Sequence, residues 1–91
     1  MIDFADRTDS SARRERLVAT SPSAKLVFKI LELDAPLTSS QIAERSRLPE
    51  RTVRHALSTL TDEDLVEKRL SIRDARKRLY AAKPLADPDA T

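Results

Sequence analysis

The 91-residue chain contains no cysteine, no glycine and no tryptophan, and it has one histidine. Without cysteine it cannot form disulfides, sense redox state through thiols or build a cysteine–histidine zinc site. Without glycine it lacks the glycine-rich loops that bind phosphate in many nucleotide enzymes, and the loop that exposes a catalytic serine. We therefore predict that the protein is not an enzyme and that it holds no cofactor and no metal.

Long apolar runs are absent as well. No segment approaches the roughly 20 apolar residues that cross a bilayer. The N-terminus does not have the positively charged start and apolar segment of a signal peptide. We therefore expect a cytoplasmic protein with no membrane partner.

Positive charge is concentrated in the second half of the chain. The whole sequence has 17 basic and 15 acidic residues. Between residues 45 and 83, however, 11 basic residues accompany only 6 acidic ones. A basic field in one part of a small domain favours a polyanionic partner such as nucleic acid.

Apolar spacing and capping residues predict two helices between residues 23 and 47. The first covers residues 24–33 with Ser23 as its cap, and its apolar face comprises Leu26, Val27, Phe28, Ile30, Leu31 and Leu33. The second begins after Thr38, because Thr38 and Gln41 have the spacing of a capping box. Leu37, between them, forms either a short strand or a plug in the core.

A third helix, residues 49–60, follows after a short connection and has one apolar stripe. Val53, Leu57 and Leu60 recur at helical spacing, and Pro49 suits the first helical turn. Two short helices joined in this way form a helix-turn-helix, whose second helix lies in the DNA major groove. The opposite face of this helix presents Arg51, Arg54, His55 and Ser58, and an arginine there can bind guanine O6 and N7 with two hydrogen bonds.

Two strands complete the predicted domain. Residues 66–72 and 78–82 have strand character and flank a basic turn, which predicts a β-hairpin. We call its basic part, residues 68–80, the wing. Asp64, at the exit of the third helix, is expected in a left-handed conformation. The fold class is mostly α with a small β-hairpin, a winged helix-turn-helix.

The ends of the chain are predicted to be separate from the domain at residues 23–83. Residues 1–22 form an arm or short helix that docks on the domain, docks on a partner chain or is disordered. Its basic run, Arg13, Arg14 and Arg16, is interpreted as solvated rather than as a phosphate-binding arm. Residues 84–91, with two prolines, form a disordered tail.

Three sequence motifs resemble the multiple-antibiotic-resistance regulator (MarR) family. They are LTSSQIA at 37–43, LPERTVRHAL at 48–57 and DLVE at 64–67, and the turn RDAR at 73–76 is similar to the family's Asp-x-Arg wing tip. The likeness covers residues 24–83, and it extends to the short MarR-like regulators of halophilic archaea. The family commonly has glycine where this chain has Asp64, and its longer members dimerise through terminal helices.

The resemblance implies a set of DNA-binding residues. Phosphates would be held by Ser39, Ser40 and Thr52, and base edges would be reached by Arg51, Arg54 and His55, with Ser58 on the same face. In the wing, phosphate or minor-groove contacts would come from Arg73, Arg76, Lys77 and Arg78. The alternative interpretation of His55 is an ordinary surface histidine, and that of the wing is a solubilising loop.

These features together predict a sequence-specific, nucleoid-associated regulator of transcription that binds double-stranded DNA. We expect a homodimer formed through residues 1–33. We expect no small-molecule effector, because no helix follows the hairpin to complete the family's ligand pocket. The alternatives are a winged-helix module for protein–protein interaction and a sequence-neutral chromatin-binding protein.

Overall fold

The computed structural model describes residues 12–74 and 77–85 of the chain. Its elements are α1 (residues 12–18), α2 (Pro22–Asp34), α3 (Ser39–Ser46), α4 (Glu50–Asp62), β1 (Val66–Leu70) and β2 (Arg78–Ala82), with the two strands antiparallel. The arrangement confirms the predicted winged helix-turn-helix. No helix in the described part of the chain is both long enough and apolar enough to cross a membrane.

The boundaries of α2 differ slightly from the prediction. Ser21, rather than Ser23, is the cap, and its hydroxyl accepts a hydrogen bond from the Ala24 N–H at 3.2 Å. Pro22 then occupies the first helical turn, where its missing N–H leaves no bond unmade. The helix ends at Asp34, because Ala35 precedes a proline and is extended.

The start of α3 matches the prediction. The Thr38 hydroxyl accepts from the Gln41 N–H at 3.2 Å, and the Gln41 side chain accepts from the Thr38 N–H at 2.9 Å. This capping box satisfies two backbone groups that have no partner inside the helix. Arg47 ends α3 in the left-handed conformation with φ 65°, and Pro49 caps α4 rather than lying within its first turn.

One core unites α2, α3, α4 and the beginning of the hairpin. Its buried members are Ala24, Val27, Phe28, Leu31, Leu37, Ile42, Val53, Ala56, Leu57, Leu60, Leu65 and Val66. The predicted apolar face of α2 is wrong at two positions, since Leu26 is exposed and Leu33 is 72 % exposed. With Ala24, Val27, Phe28 and Leu31 facing the core, helical geometry places both leucines on the outer side of α2.

The hairpin projects away from this core. Val66 pairs with Ala82 near the core, whereas Leu70 pairs with Arg78 at the far end. β1 ends at Leu70 rather than Ile72, and both of these side chains are exposed, so exposure rises along the strand from buried Val66 to its far end. Of the two predicted roles of Leu37, the plug in the core is confirmed, since Leu37 is buried, and instead of a short strand it forms an isolated bridge to Tyr80 of β2.

The described part of the N-terminal arm docks on the domain. Arg16 donates to the Glu63 carbonyl oxygen at 2.8 Å, and Arg13 donates to the Pro84 carbonyl oxygen at 3.0 Å. The prediction of a solvated run is therefore wrong for Arg13, whose side chain is 18 % exposed. Of the predicted tail, Leu85 packs half-buried against the core. Residues 1–11 and 86–91 lie outside the described residues.

Candidate nucleic-acid interface

The outer face of α4 presents the side chains that the sequence places there. Val53, Ala56, Leu57 and Leu60 are buried, and Arg51, Arg54, His55 and Ser58 are exposed on the other side. Thr52 is half-buried, because it lies at the border between the two faces. α4 is therefore held from behind by packing and is open in front.

A cleft of about 650 Å³ lies between the helix-turn-helix and the wing. Its described lining residues are Thr38, Ser39, Ser40, Gln41, Glu50, Arg54, Lys77, Arg78 and Tyr80. We call it the main cleft. It brings together predicted DNA-binding residues from three elements, because α3, α4 and β2 converge on it.

The N-terminus of α3 opens onto the main cleft. Ser39 and Ser40 are its first two residues, and both line the cleft. Backbone N–H groups at a helix start have no partner within the helix and carry partial positive charge. This end of the cleft therefore favours an anionic group such as phosphate.

Glu50 connects α3 to the outer face of α4. Its Oε2 accepts a hydrogen bond from Arg54 Nη2 at 2.8 Å and another from the Ser40 hydroxyl at 3.4 Å. The pair with Arg54 has the four-residue spacing at which side chains on one helix meet. Two predicted DNA-binding residues are therefore bound by one carboxylate.

Arg54 and Tyr80 also line a second, smaller cleft of about 220 Å³. Its other described lining residues are Leu57, Ser58, Thr61, Asp62 and Lys68. Tyr80, which belongs to the wing, lines both clefts and therefore lies between them. Ser58 and Lys68 join the interface through this second cleft.

The structure separates His55 from the other predicted site residues in the main cleft. His55 lines a different cleft of about 340 Å³, together with Arg16, Thr20, Ser21, Thr59 and Glu63. Arg51 and Arg73 are exposed on α4 and on the hairpin turn, respectively. Arg76 lies outside the described residues, so its predicted role is not tested.

One wing arginine is bound within the wing itself. Arg69 donates from Nε and Nη2 to the two carboxylate oxygens of Glu67, both at 3.1 Å. The hydrogen bond and charge of Arg69 lower the pKa of Glu67, and those of Glu67 raise the pKa of Arg69. Lys68, Arg73, Lys77 and Arg78 are exposed basic side chains of the same wing.

A second charged cluster secures the exit of α4. Asp64 has φ 62°, the left-handed conformation that the sequence predicts, and its carboxylate accepts a hydrogen bond from Lys83. Arg13 Nε lies 3.8 Å from the other carboxylate oxygen. The hydrogen bond from Lys83, followed by the charges of Lys83, Arg13 and Arg16, lowers the pKa of Asp64.

Eight described lining residues of the two clefts were not among the predicted site residues: Thr38, Gln41, Glu50, Leu57, Thr61, Asp62, Lys68 and Tyr80. The spacing of Glu50 and Arg54 was a usable signal, because oppositely charged residues four apart on a helix form ion pairs. Tyr80 gave no such signal, since its position depends on the pairing of distant segments. Within the described residues, no group of three histidine or acidic side chains is arranged to hold a metal ion.

Comparison with solved structures places the fold among bacterial regulators. The chain is similar to the adhesin competence repressor AdcR of Streptococcus pyogenes, at 20 % identity and a TM-score of 0.69 over 77 % of this chain and 52 % of that one. It is similar to the zinc-responsive MarR family member ZitR of Lactococcus lactis, at 22 % identity and a TM-score of 0.65, covering 70 % and 44 %. A MarR family regulator of Neisseria meningitidis is 28 % identical with a TM-score of 0.60, covering 70 % and 45 %.

The chain spans about half the length of these solved regulators. No curated protein matches it. The family model described as winged helix-turn-helix DNA-binding matches residues 22–67, about half of the chain, which include all of α2, α3 and α4. The chain therefore belongs to the winged helix-turn-helix DNA-binding family.

Proposed function

We propose that this protein is a sequence-specific regulator of transcription that inserts α4 into a DNA major groove and lays the wing along the adjacent backbone or minor groove. The main cleft is the observation that carries the proposal. It gathers the start of α3, Arg54 of α4 and the wing residues Lys77 and Arg78 around one concave surface. An anion-binding helix end, a guanidinium and two wing cations on one surface suit a polyanion.

Different residues are assigned to positioning and to sequence recognition. Ser39 and Ser40 suit a phosphate, because they lie at the positive end of α3. Arg51 and Arg54 suit base edges, since both are exposed on α4 and arginine binds guanine through two hydrogen bonds. Ser58 lies beside them, whereas Thr52 is half-buried and suits only a contact at the edge of the groove.

The wing is assigned to the backbone or to the minor groove. Arg73, Lys77 and Arg78 are exposed and carry positive charge. A narrow minor groove has a strong negative potential that attracts arginine and lysine. We propose the same kind of DNA contact for Arg76 from its place in the RDAR motif alone.

The regulator is proposed to act as a homodimer through residues 1–33. The described part of this segment exposes Val18, Leu26 and Leu33, of which Leu33 is 72 % exposed. Leu26 and Leu33 are seven residues apart and so lie on one side of α2, and exposed apolar side chains on one surface are typical of a protein contact. A two-fold dimer would read two half-sites about one helical turn apart, as other helix-turn-helix dimers do.

Fluorescence anisotropy tests the proposal directly. A labelled duplex from the protein's own promoter and a labelled random duplex are each titrated with the full chain at two salt concentrations. We expect tight binding to the promoter, weaker binding to the random duplex and a steep loss of affinity with salt, because bound cations release counterions from DNA.

The other outcomes identify the competing functions. No binding to either duplex at low salt would contradict the proposal and favour a protein-interaction module. Equal and salt-sensitive binding to both would favour a sequence-neutral chromatin role. To cover operators outside the promoter, the same protein is used to select binding sites from a random-sequence pool before that conclusion is drawn.

A further inference from the structure

Glu50 is the only acidic residue among the described residues that line the main cleft. It faces a surface on which the neighbouring charged groups are Arg54, Lys77 and Arg78. A carboxylate at this position opposes the binding of phosphate by direct repulsion. Its presence in a cleft proposed to bind DNA therefore requires a function.

The contacts of Glu50 indicate that function. Its Oε2 binds Arg54 Nη2 at 2.8 Å and the Ser40 hydroxyl at 3.4 Å. A DNA phosphate offers the same kind of anionic oxygen, so it competes with Glu50 for both partners. In contacts with arbitrary sequence, Arg54 gains little by exchanging one anionic oxygen for another.

A guanine edge differs from a phosphate in this respect. The arginine guanidinium has five N–H donors, and the contact with Glu50 uses only one nitrogen. The remaining donors can bind guanine O6 and N7 while the bond to Glu50 is kept. The carboxylate then orients the guanidinium, which reduces the freedom lost when the base contact forms.

We propose that Glu50 is a positioning residue that determines specificity: it withholds Arg54 from phosphates and orients it toward a base edge. This inference rests on the proposed function, because it assumes that the main cleft binds DNA. The Glu50–Arg54 pair is exposed, with 42 % and 68 % of the two side chains accessible, so DNA reaches it without unfolding. An exposed pair contributes little to stability, so we expect the main effect of Glu50 on binding.

The test compares Glu50→Gln with Glu44→Gln in the full chain. Both substitutions remove one negative charge from an exposed side chain of the helix-turn-helix, but Glu44 is not among the residues lining the main cleft. Affinity is measured by anisotropy for a random duplex and for a site that the wild-type protein selects from a random-sequence pool. Each titration is repeated over a range of salt concentrations.

We expect Glu50→Gln to tighten binding to the random duplex about three- to tenfold, since it frees Arg54 for phosphate. The slope of log K against log salt should become steeper by about 0.9, the value for one additional phosphate contact. Affinity for the selected site should stay the same or fall. The specificity ratio, which is the affinity for the selected site divided by that for the random duplex, therefore decreases. Glu44→Gln should leave the ratio unchanged.

A double-mutant cycle with Arg54→Gln separates the proposed route from a general charge effect. If Glu50 acts through Arg54, Glu50→Gln has no further effect on the ratio in the Arg54→Gln background. The inference is overturned if the effect persists there, if Glu50→Gln behaves like Glu44→Gln, or if both duplexes tighten equally. If the wild-type protein binds no duplex, the proposed function and this inference both fail. If it binds the selected site but the expected effects of Glu50→Gln are missing, only this inference fails.

Discussion

Leu37 and Tyr80 exchange two backbone hydrogen bonds. The Leu37 N–H donates to the Tyr80 carbonyl oxygen at 3.1 Å, and the Tyr80 N–H donates to the Leu37 carbonyl oxygen at 2.8 Å. Leu37 lies between α2 and α3, and Tyr80 lies in the middle of β2. This bridge joins the wing to the beginning of the helix-turn-helix, the two parts between which the main cleft lies.

Leu37→Ala should destabilise the fold by about 2–5 kcal/mol, because it removes a buried side chain and leaves a cavity. Urea denaturation followed by circular dichroism measures the change. Leu70→Ala, at a position that is 62 % exposed and lies outside the proposed dimer surface, is the matched control and should change stability by no more than about 0.5 kcal/mol. Equal losses in the two variants would show that Leu37 is not part of the core.

Arg51→Ala should weaken binding to the selected DNA site by about 1–3 kcal/mol and relax the preference at one base pair. The reason is the loss of two hydrogen bonds to a single guanine edge. Site selection with the variant protein measures the preference, and Lys25→Ala on α2 provides an exposed basic control. A loss of the same size for every DNA sequence would mean that Arg51 binds only phosphate.

Lys77→Ala should weaken binding to all duplexes to a similar extent, because a wing residue on the backbone positions the protein without reading bases. The slope of log K against log salt should become shallower by about 1. Titrations of the random duplex and the selected site across salt concentrations test both expectations. A loss confined to the selected site would instead assign Lys77 to sequence recognition.

Asp64→Asn should make stability less dependent on pH in acid. The pKa of Asp64 is lowered in the folded state, chiefly by the hydrogen bond from Lys83. A lowered folded-state pKa stabilises the fold above the unfolded value of about 3.9. That contribution is lost as the pH falls through the folded-state pKa.

Urea midpoints from about pH 6 to pH 2 measure this dependence, and the wild-type midpoint should fall further than that of Asp64→Asn. Asparagine tolerates the left-handed backbone that residue 64 adopts, so the substitution tests the charge rather than the turn. Parallel acid profiles for the two proteins would contradict the prediction.

Leu26→Glu combined with Leu33→Glu should convert a dimer into a monomer, because it places charge on an exposed apolar face of α2. Sedimentation equilibrium measures the mass, and anisotropy should show weaker binding to a two-half-site operator. Lys25→Glu, a charge change at an exposed position of the same helix, is the control. A wild-type protein that is already monomeric, or a dimer that survives the double substitution, would exclude this surface.

Local patterns predicted the features that depend on neighbouring residues. Thr38 and Gln41 are three residues apart, which is the spacing of a capping box when a helix starts directly after the threonine. Val53, Leu57 and Leu60 define the buried side of α4 by helical spacing alone, and Asp64 adopts the left-handed turn expected at the exit of the helix. The same patterns place Arg51, Arg54 and Ser58 on the outer face.

Contacts between distant segments decided the features that the local patterns did not predict. Arg13 belongs to a basic run that suggests solvation, yet it lies between Asp64 and Pro84 because α1 docks at the exit of α4. Leu26 and Leu33 are as apolar as core residues, but only the side of α2 that includes Val27 and Leu31 is buried. In α2, apolar residues occur on more than one side of the helix, so spacing does not specify which side another element covers.

The amino-acid sequence by itself determined the fold class, the helix starts at the capping box and the outer face of α4, because helical periodicity and capping act over three or four residues. Only the tertiary structure decided that Ser40, Glu50 and Arg54 meet in one cleft with the wing, while His55 faces α1. The reason is that a cleft forms where separate elements converge. That convergence depends on packing and on bonds such as the one between Leu37 and Tyr80.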